Sequence, residues 1–155
     1  MTMSVRQVGR RSARALLLDD EGHLVLIKRT KPGESPYWTT PGGGVEDGES
    51  SPGALERELG EELGARAAIG ERVLLMSTPL DDSAVAVQEV FVARLLGMRE
   101  ADRTGAEWSD PTRGGYEVVR VPVAEAGGID LKPDVLREFV TANVDALVNE
   151  AAVLA

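Results

Sequence analysis

Three carboxylates, Glu58, Glu61 and Glu62, fall at i, i+3 and i+4 in the run Ser51 to Gly64, so a helix there places all three on one face. Like charges at this spacing cost an isolated helix about 0.2–0.5 kcal/mol per pair. Gly53 and Gly60 lie in the same run, and each costs a helix about 1 kcal/mol relative to alanine. A Glu-rich helix face is in most proteins simply solvated. Here, two features that oppose stability occur together with no structural gain to offset them, which points to chemistry. Clustered carboxylates with few basic neighbours suit a hard divalent cation such as Mg²⁺, which takes oxygen ligands, keeps several waters and bridges to phosphate oxygens. The preceding run Pro41-Gly42-Gly43-Gly44 offers backbone that can approach a metal or a phosphate closely.

Other elements must position this helix. Ser50 or Ser51 caps its start, Pro52 stands in its first turn and Gly64 ends it, while Leu55, Leu59 and Leu63 form an apolar stripe for a core. Upstream, Ala13 to Arg29 reads as two strands around a turn at Asp20, Glu21 and Gly22. Thr30 to Gly44 reads as a loop holding a short aromatic strand near Trp38. Downstream, Arg72–Thr78, Val85–Leu96 and Tyr116–Val123 are strand-like, and Gly97–Gly115 is a polar surface loop. Pro133 to about Val148 reads as one closing helix, with Val135, Phe139, Ala142 and Ala146 on its covered face. The pattern predicts a mixed α/β fold, a sheet with a helix packed on each side.

At 155 residues, 43% of them hydrophobic, the chain is long enough for one domain with a proper core, the core spanning about residues 11–150. Without cysteine there is neither a disulfide framework nor a thiolate metal site. A net charge of −9 repels nucleic acid, and no basic cluster overcomes it. Small phosphate compounds remain open, because a metal ion can bridge like charges. The longest apolar run near the N-terminus is three leucines, too short for a signal core or a membrane span, so a cytoplasmic protein is the simplest expectation. His23, the lone histidine, sits at a turn, and no Ser-His or Cys-His pair can be assembled.

The spacing Gly43, five residues, Glu49, seven residues, Arg57-Glu58-Leu59, one residue, Glu61-Glu62, one residue, Gly64 resembles the signature of the Nudix hydrolase superfamily. Seven fixed residues would match by chance on the order of 10⁻⁸ times per starting position. The last position of the signature is aliphatic and here is the small Ala65, a departure that touches packing alone. The resemblance implies a Nudix-type α/β/α sandwich with a mixed β-sheet flanked by helices. It implies Mg²⁺-dependent hydrolysis, with Mn²⁺ as a substitute, of the diphosphate linkage in a nucleoside diphosphate derivative by water attack at phosphorus. ADP-ribose, a nucleotide sugar, a dinucleoside polyphosphate and a nucleoside triphosphate are the substrate options, and homodimerisation is common in such proteins. By the same pattern Glu58 and Glu62 are the principal metal ligands, with Glu61 and the Gly42 carbonyl assisting. Glu58 is also the candidate for activating water, Arg57 holds the carboxylates, and Glu49 fixes the loop to the helix.

A further carboxylate from beyond the motif is expected, with Glu117 the first choice and Glu107 the second. For the substrate, Trp38 or Tyr37 could stack on a base, and Arg29 or Arg113 could meet phosphate. Pro79, fifteen residues after Gly64, looks like a marker of ADP-ribose-hydrolysing relatives. A nucleotide sensor of the same fold is the rival reading; it is disfavoured because every metal-binding glutamate of the motif is present. A related isomerase needs a cysteine this chain lacks.

Overall fold

A computed structural model describes residues 5–104 and 114–155. Strand β1 (Gln7–Leu18) turns into β2 (His23–Thr30). At the turn, Asp19 Oδ1 accepts from the backbone N–H groups of Glu21 and His23, both at 2.9 Å, and Gly22 takes the positive φ of 77°. The two strands touch in register only at Leu18 and Leu24. Below that point they diverge, β1 running parallel to β6 (Ala84–Met98) and β2 antiparallel to β7 (Gly115–Pro122). The opening is filled by the segment after β2, where β3 (Tyr37–Thr39) pairs with β2 and β4 (Gly42–Gly44) pairs with β1. Strand β5 (Ala65–Pro79) closes the far edge against β6.

The resulting mixed sheet is covered on both faces, which is why β1 and β2 carry near-continuous apolar runs rather than strict alternation. On one face Leu16, Leu18, Leu24, Leu26, Val90 and Val92 pack with Leu136, Val140, Leu147 and Ala151 of α2 (Asp134–Ala142) and α3 (Val144–Ala152). On the other, Ala13, Ala15, Leu17, Val25 and Ile27 meet Leu55, Leu59 and Leu63 of α1 (Ser51–Leu63). The architecture is an α/β/α sandwich. Each α1 leucine is essentially inaccessible to solvent, worth about 1.5–3 kcal/mol of burial apiece. Ser50 is the cap of α1, its Oγ accepting from Gly53 N at 3.1 Å, and Gly64 ends the helix in the left-handed region at φ 62°.

Three expectations need correcting. Strand β5 starts at Ala65, directly after the helix, rather than at Arg72; register irregularities between Arg66 and Leu74 break the alternation that would have revealed it. The closing helix is two helices, because Asn143 leaves helical geometry (φ −129°, ψ 28°) and its Nδ2 donates to Phe139 O at 2.8 Å. The covered stripe is also displaced: Leu136 and Val140 are buried, whereas Val135 is 50% exposed and Ala142 and Ala146 face solvent. Of the polar loop, Glu100–Asp102 forms a single 3₁₀ turn, and Arg113 and Glu107 lie outside the described residues. No helix among the described residues is long and apolar enough to cross a membrane.

Candidate functional site

The divergence of β1 and β2 brings the glycine segment of β4 under helix α1. Glu58 and Glu62, one turn apart, both reach that backbone. Glu62 Oε1 accepts from Gly42 N at 3.0 Å. The Glu58 carboxylate lies so close to Gly43 that a Cβ there would stand 2.4–2.7 Å from its atoms. A residue with any side chain at position 43 would push Glu58 away. Glycine at this point is thus required by a close approach, as the run of three glycines suggests.

Arg57 holds the outer side of the cluster. Its Nε and Nη2 donate to the two oxygens of Glu49 at 2.8 and 2.9 Å, and Nη2 also reaches Gly44 O at 3.0 Å. Nη1 donates to Glu58 at 3.0 Å and Glu61 at 3.3 Å. Glu49 Oε1 accepts in addition from Glu46 N at 2.9 Å, so one guanidinium ties the Gly44–Glu49 loop to the helix. These contacts raise Arg57 further above its already high value. They hold the Glu49 carboxyl down at about 2 against an ordinary 4.5, the Arg57 hydrogen bond contributing most. The Glu49 contribution to stability is therefore complete above about pH 4.5 and disappears as pH falls toward about 2. Glu49→Gln should accordingly unfold at lower urea than the parent at about pH 6, with the gap narrowing toward about pH 3. A gap independent of pH would refute the pairing.

Glu58 and Glu62 line a cavity of about 630 Å³, together with Gly42, Arg14 and Arg29. Its far wall carries Met76, Thr78, Gln88 and Val135. Arg29 stacks on Tyr116, its guanidinium carbon 3.8 Å from the ring centre, and both face this space. Arg14 is a site residue that sequence reasoning misses. It projects from an otherwise apolar stretch of β1, and its Nη1 donates to Gly42 O at 3.1 Å and Thr40 O at 3.4 Å. Burial pushes its pKa down, opposed by the charges of Glu62 and Glu58. A charged residue inside Ala-Arg-Ala-Leu-Leu-Leu is the signal that could have found it.

Other expected site residues are engaged differently or lie outside the cavity. The Gly42 carbonyl, implied as a metal ligand, is engaged by Arg14, because a guanidinium taken out of water needs acceptors. Glu61 does not line the cavity; it is 45% exposed on the Arg57 side. Trp38 is half-buried against the core shared with α2 and α3, with Lys28 Nζ 5.6 Å from its ring centre, and it does not line the cavity. Glu117 pairs opposite Lys28, and strand alternation turns it to the sheet face opposite Tyr116 and Val118, which pack toward α1. It is exposed and does not line the cavity.

Among the described residues, no group of three or more His, Asp or Glu side chains is gathered closely enough to hold a metal ion alone. Two carboxylates offering only oxygen nevertheless fit Mg²⁺, which is held at phosphate sites by one or two carboxylates while water and phosphate oxygens complete its shell.

Comparison with known proteins gives a consistent picture. The model of the family described as NUDIX domain matches residues 8–140. A putative 8-oxo-dGTP diphosphatase of Bacillus subtilis (strain 168) is 30% identical over 102 residues, covering 63% of this chain and 64% of that protein. The match thus spans less than two thirds of that relative. A CTP pyrophosphohydrolase of Escherichia coli (strain K12) is 29% identical over 114 residues, 72% of this chain and 82% of its own. Among solved structures, the E. coli ORF135 protein superposes with a TM-score of 0.65 at 24% identity, covering 94% of this chain and 97% of that one. The MutT protein of Methanosarcina mazei Go1 gives 0.63 at 20% identity, with 92% and 97% covered. These two likenesses show the shared fold.

Proposed function

This chain belongs to the NUDIX domain family, and from that premise we propose that it hydrolyses the diphosphate linkage of a nucleoside diphosphate derivative with the help of a divalent cation. The observation that carries the reading is the convergence of Glu58 and Glu62 on the Gly42–Gly43 backbone, in a cavity that also presents Arg14 and Arg29. Glu58 and Glu62 would hold Mg²⁺, or Mn²⁺ in its place. When bound, the cation neutralises phosphate charge and lowers the pKa of an attacking water. Glu58 would orient that water or take its proton. Arg57 keeps Glu58 from swinging into solvent, and Arg29 would contact a phosphate oxygen. The half-apolar wall at Met76 and Val135 leaves room for the nucleoside.

Nucleoside triphosphates come first in the substrate class, because the two relatives are named for 8-oxo-dGTP and CTP. The test is a panel with Mg²⁺: canonical and oxidised triphosphates, ADP-ribose, nucleotide sugars and dinucleoside polyphosphates, with products separated by anion exchange. A nucleoside monophosphate and pyrophosphate from a triphosphate support the reading. Binding across the panel with no turnover would replace it with the sensor.

A further inference from the structure

The cavity carries an arrangement of charge that the motif alone does not explain. Arg14 comes from β1, outside the motif, and among the described residues its only hydrogen-bond acceptors are two neutral carbonyls, Gly42 O and Thr40 O. The carboxylates whose charges act on it are Glu62 and Glu58, which line the same cavity and do not accept a hydrogen bond from it. A divalent cation approaching those carboxylates meets a like charge already in place. A diphosphate approaching the same space meets an attractive one. The guanidinium therefore acts with opposite sign on the two species, and a guanidinium paired with a phosphate no longer repels the cation.

We propose that Arg14 couples cation binding to nucleotide binding: held on Gly42 O and Thr40 O it weakens the hold of Glu58 and Glu62 on a cation by itself, and once its guanidinium pairs with a diphosphate that weakening is relieved. The inference rests on the metal-bound reading above. Its physical content is a coupling free energy between two ligands, which must be reciprocal: nucleotide tightens the cation as much as cation tightens the nucleotide. The chain would thereby take up cation and substrate together rather than sit loaded with metal.

The experiment is titration of the full chain with Mn²⁺, followed by the loss of the free-ion paramagnetic resonance signal, alone and with an α,β-methylene nucleoside diphosphate that cannot be cut. The parent should bind Mn²⁺ more tightly when the analogue is present. Arg14→Gln keeps a donor for Gly42 O and removes the charge. It should bind Mn²⁺ alone about tenfold more tightly and lose a similar factor of the analogue's effect, within the usual range for coupling between sites. Arg14→Lys keeps the charge and should keep the parental pattern. Unchanged binding in Arg14→Gln, or Arg14→Lys behaving like it, overturns the proposal and leaves Arg14 as a brace for the Gly42 backbone. If Arg14→Gln does not fold, Arg14→Lys decides, parental coupling supporting the proposal and lost coupling overturning it. A parent that binds no Mn²⁺ in either condition sinks the metal reading and this inference with it. A parent that binds and couples beside an unaffected variant sinks this inference alone.

Discussion

Glu62→Gln should lower turnover of the best nucleotide in the panel on the order of 10²–10³-fold, the usual cost of losing one group that stabilises transition-state charge, with a melting temperature close to the parent's. The side chain keeps its shape, and the remaining amide oxygen can still accept from Gly42 N, so the contact between α1 and β4 survives. What disappears is one negative charge of the pair that faces the cavity. The variant should also bind Mn²⁺ more weakly in the resonance titration. Glu56→Gln is the control, since Glu56 lies on the same helix but faces solvent and should turn over like the parent. Near-parental turnover by Glu62→Gln at saturating Mg²⁺ would remove Glu62 from the ligand set.

The largest loss of stability is expected from Gly42→Ala. Gly42 has a φ of 139°, and a Cβ there would lie 2.1 Å from the carbonyl oxygen of Ala13 and 2.9 Å from the Arg14 Cα. Both obstacles are backbone of the paired strand, so neither can step aside without unzipping β4 from β1. The conformational cost and the clash together come to roughly 3–5 kcal/mol, a drop in melting temperature of roughly 10 °C for a chain of this size. Gly43→Ala makes the contrast. Its new methyl's nearest neighbours are the carboxylate atoms at the far end of the Glu58 side chain, which can shift without moving backbone, so the melt should change little while turnover falls with the displaced carboxylate. Equal melts for Gly42→Ala and the parent would mean that β4 does not lie against β1 as described.

Features set by local spacing are legible in the amino-acid sequence alone. Glu58 and Glu62 share a helix face because they are four residues apart, and the leucine stripe and the Ser50 and Gly64 ends follow from the same periodicity. What escapes such a reading depends on partners distant in the chain. Glu117 opens a strand expected near the helix, but which face it takes is decided by the pairing of β7 with β2, and a shift of one residue would invert it. Trp38 beside the glycines looks available for stacking on a substrate in the cavity, yet the path of the wedge between β1 and β2 packs it half-buried against the core instead. Arg14 reads as one of several scattered basic residues, and nothing nearby in the chain shows that β4 will deliver Gly42 to it. The break at Asn143 is hidden because the apolar spacing from Val140 to Val144 and Leu147 continues across it.

The cavity resembles a vice with one fixed jaw. The fixed jaw is Gly42, Glu58, Glu62 and Arg14, tied together by hydrogen bonds to the Gly42 backbone and by a glycine segment so close to its neighbours that a methyl added at Gly42 or Gly43 disturbs one of them. The movable jaw, in this picture, is the lining from β5, β6 and α2, where Met76, Gln88 and Val135 border the space with no hydrogen bond to the first set among the described residues. On the proposed function, the part of the lining that would meet the nucleoside is thus separate from the carboxylate end, so substitutions at Met76, Gln88 or Val135 should change substrate preference and leave Glu58 and Glu62 in place.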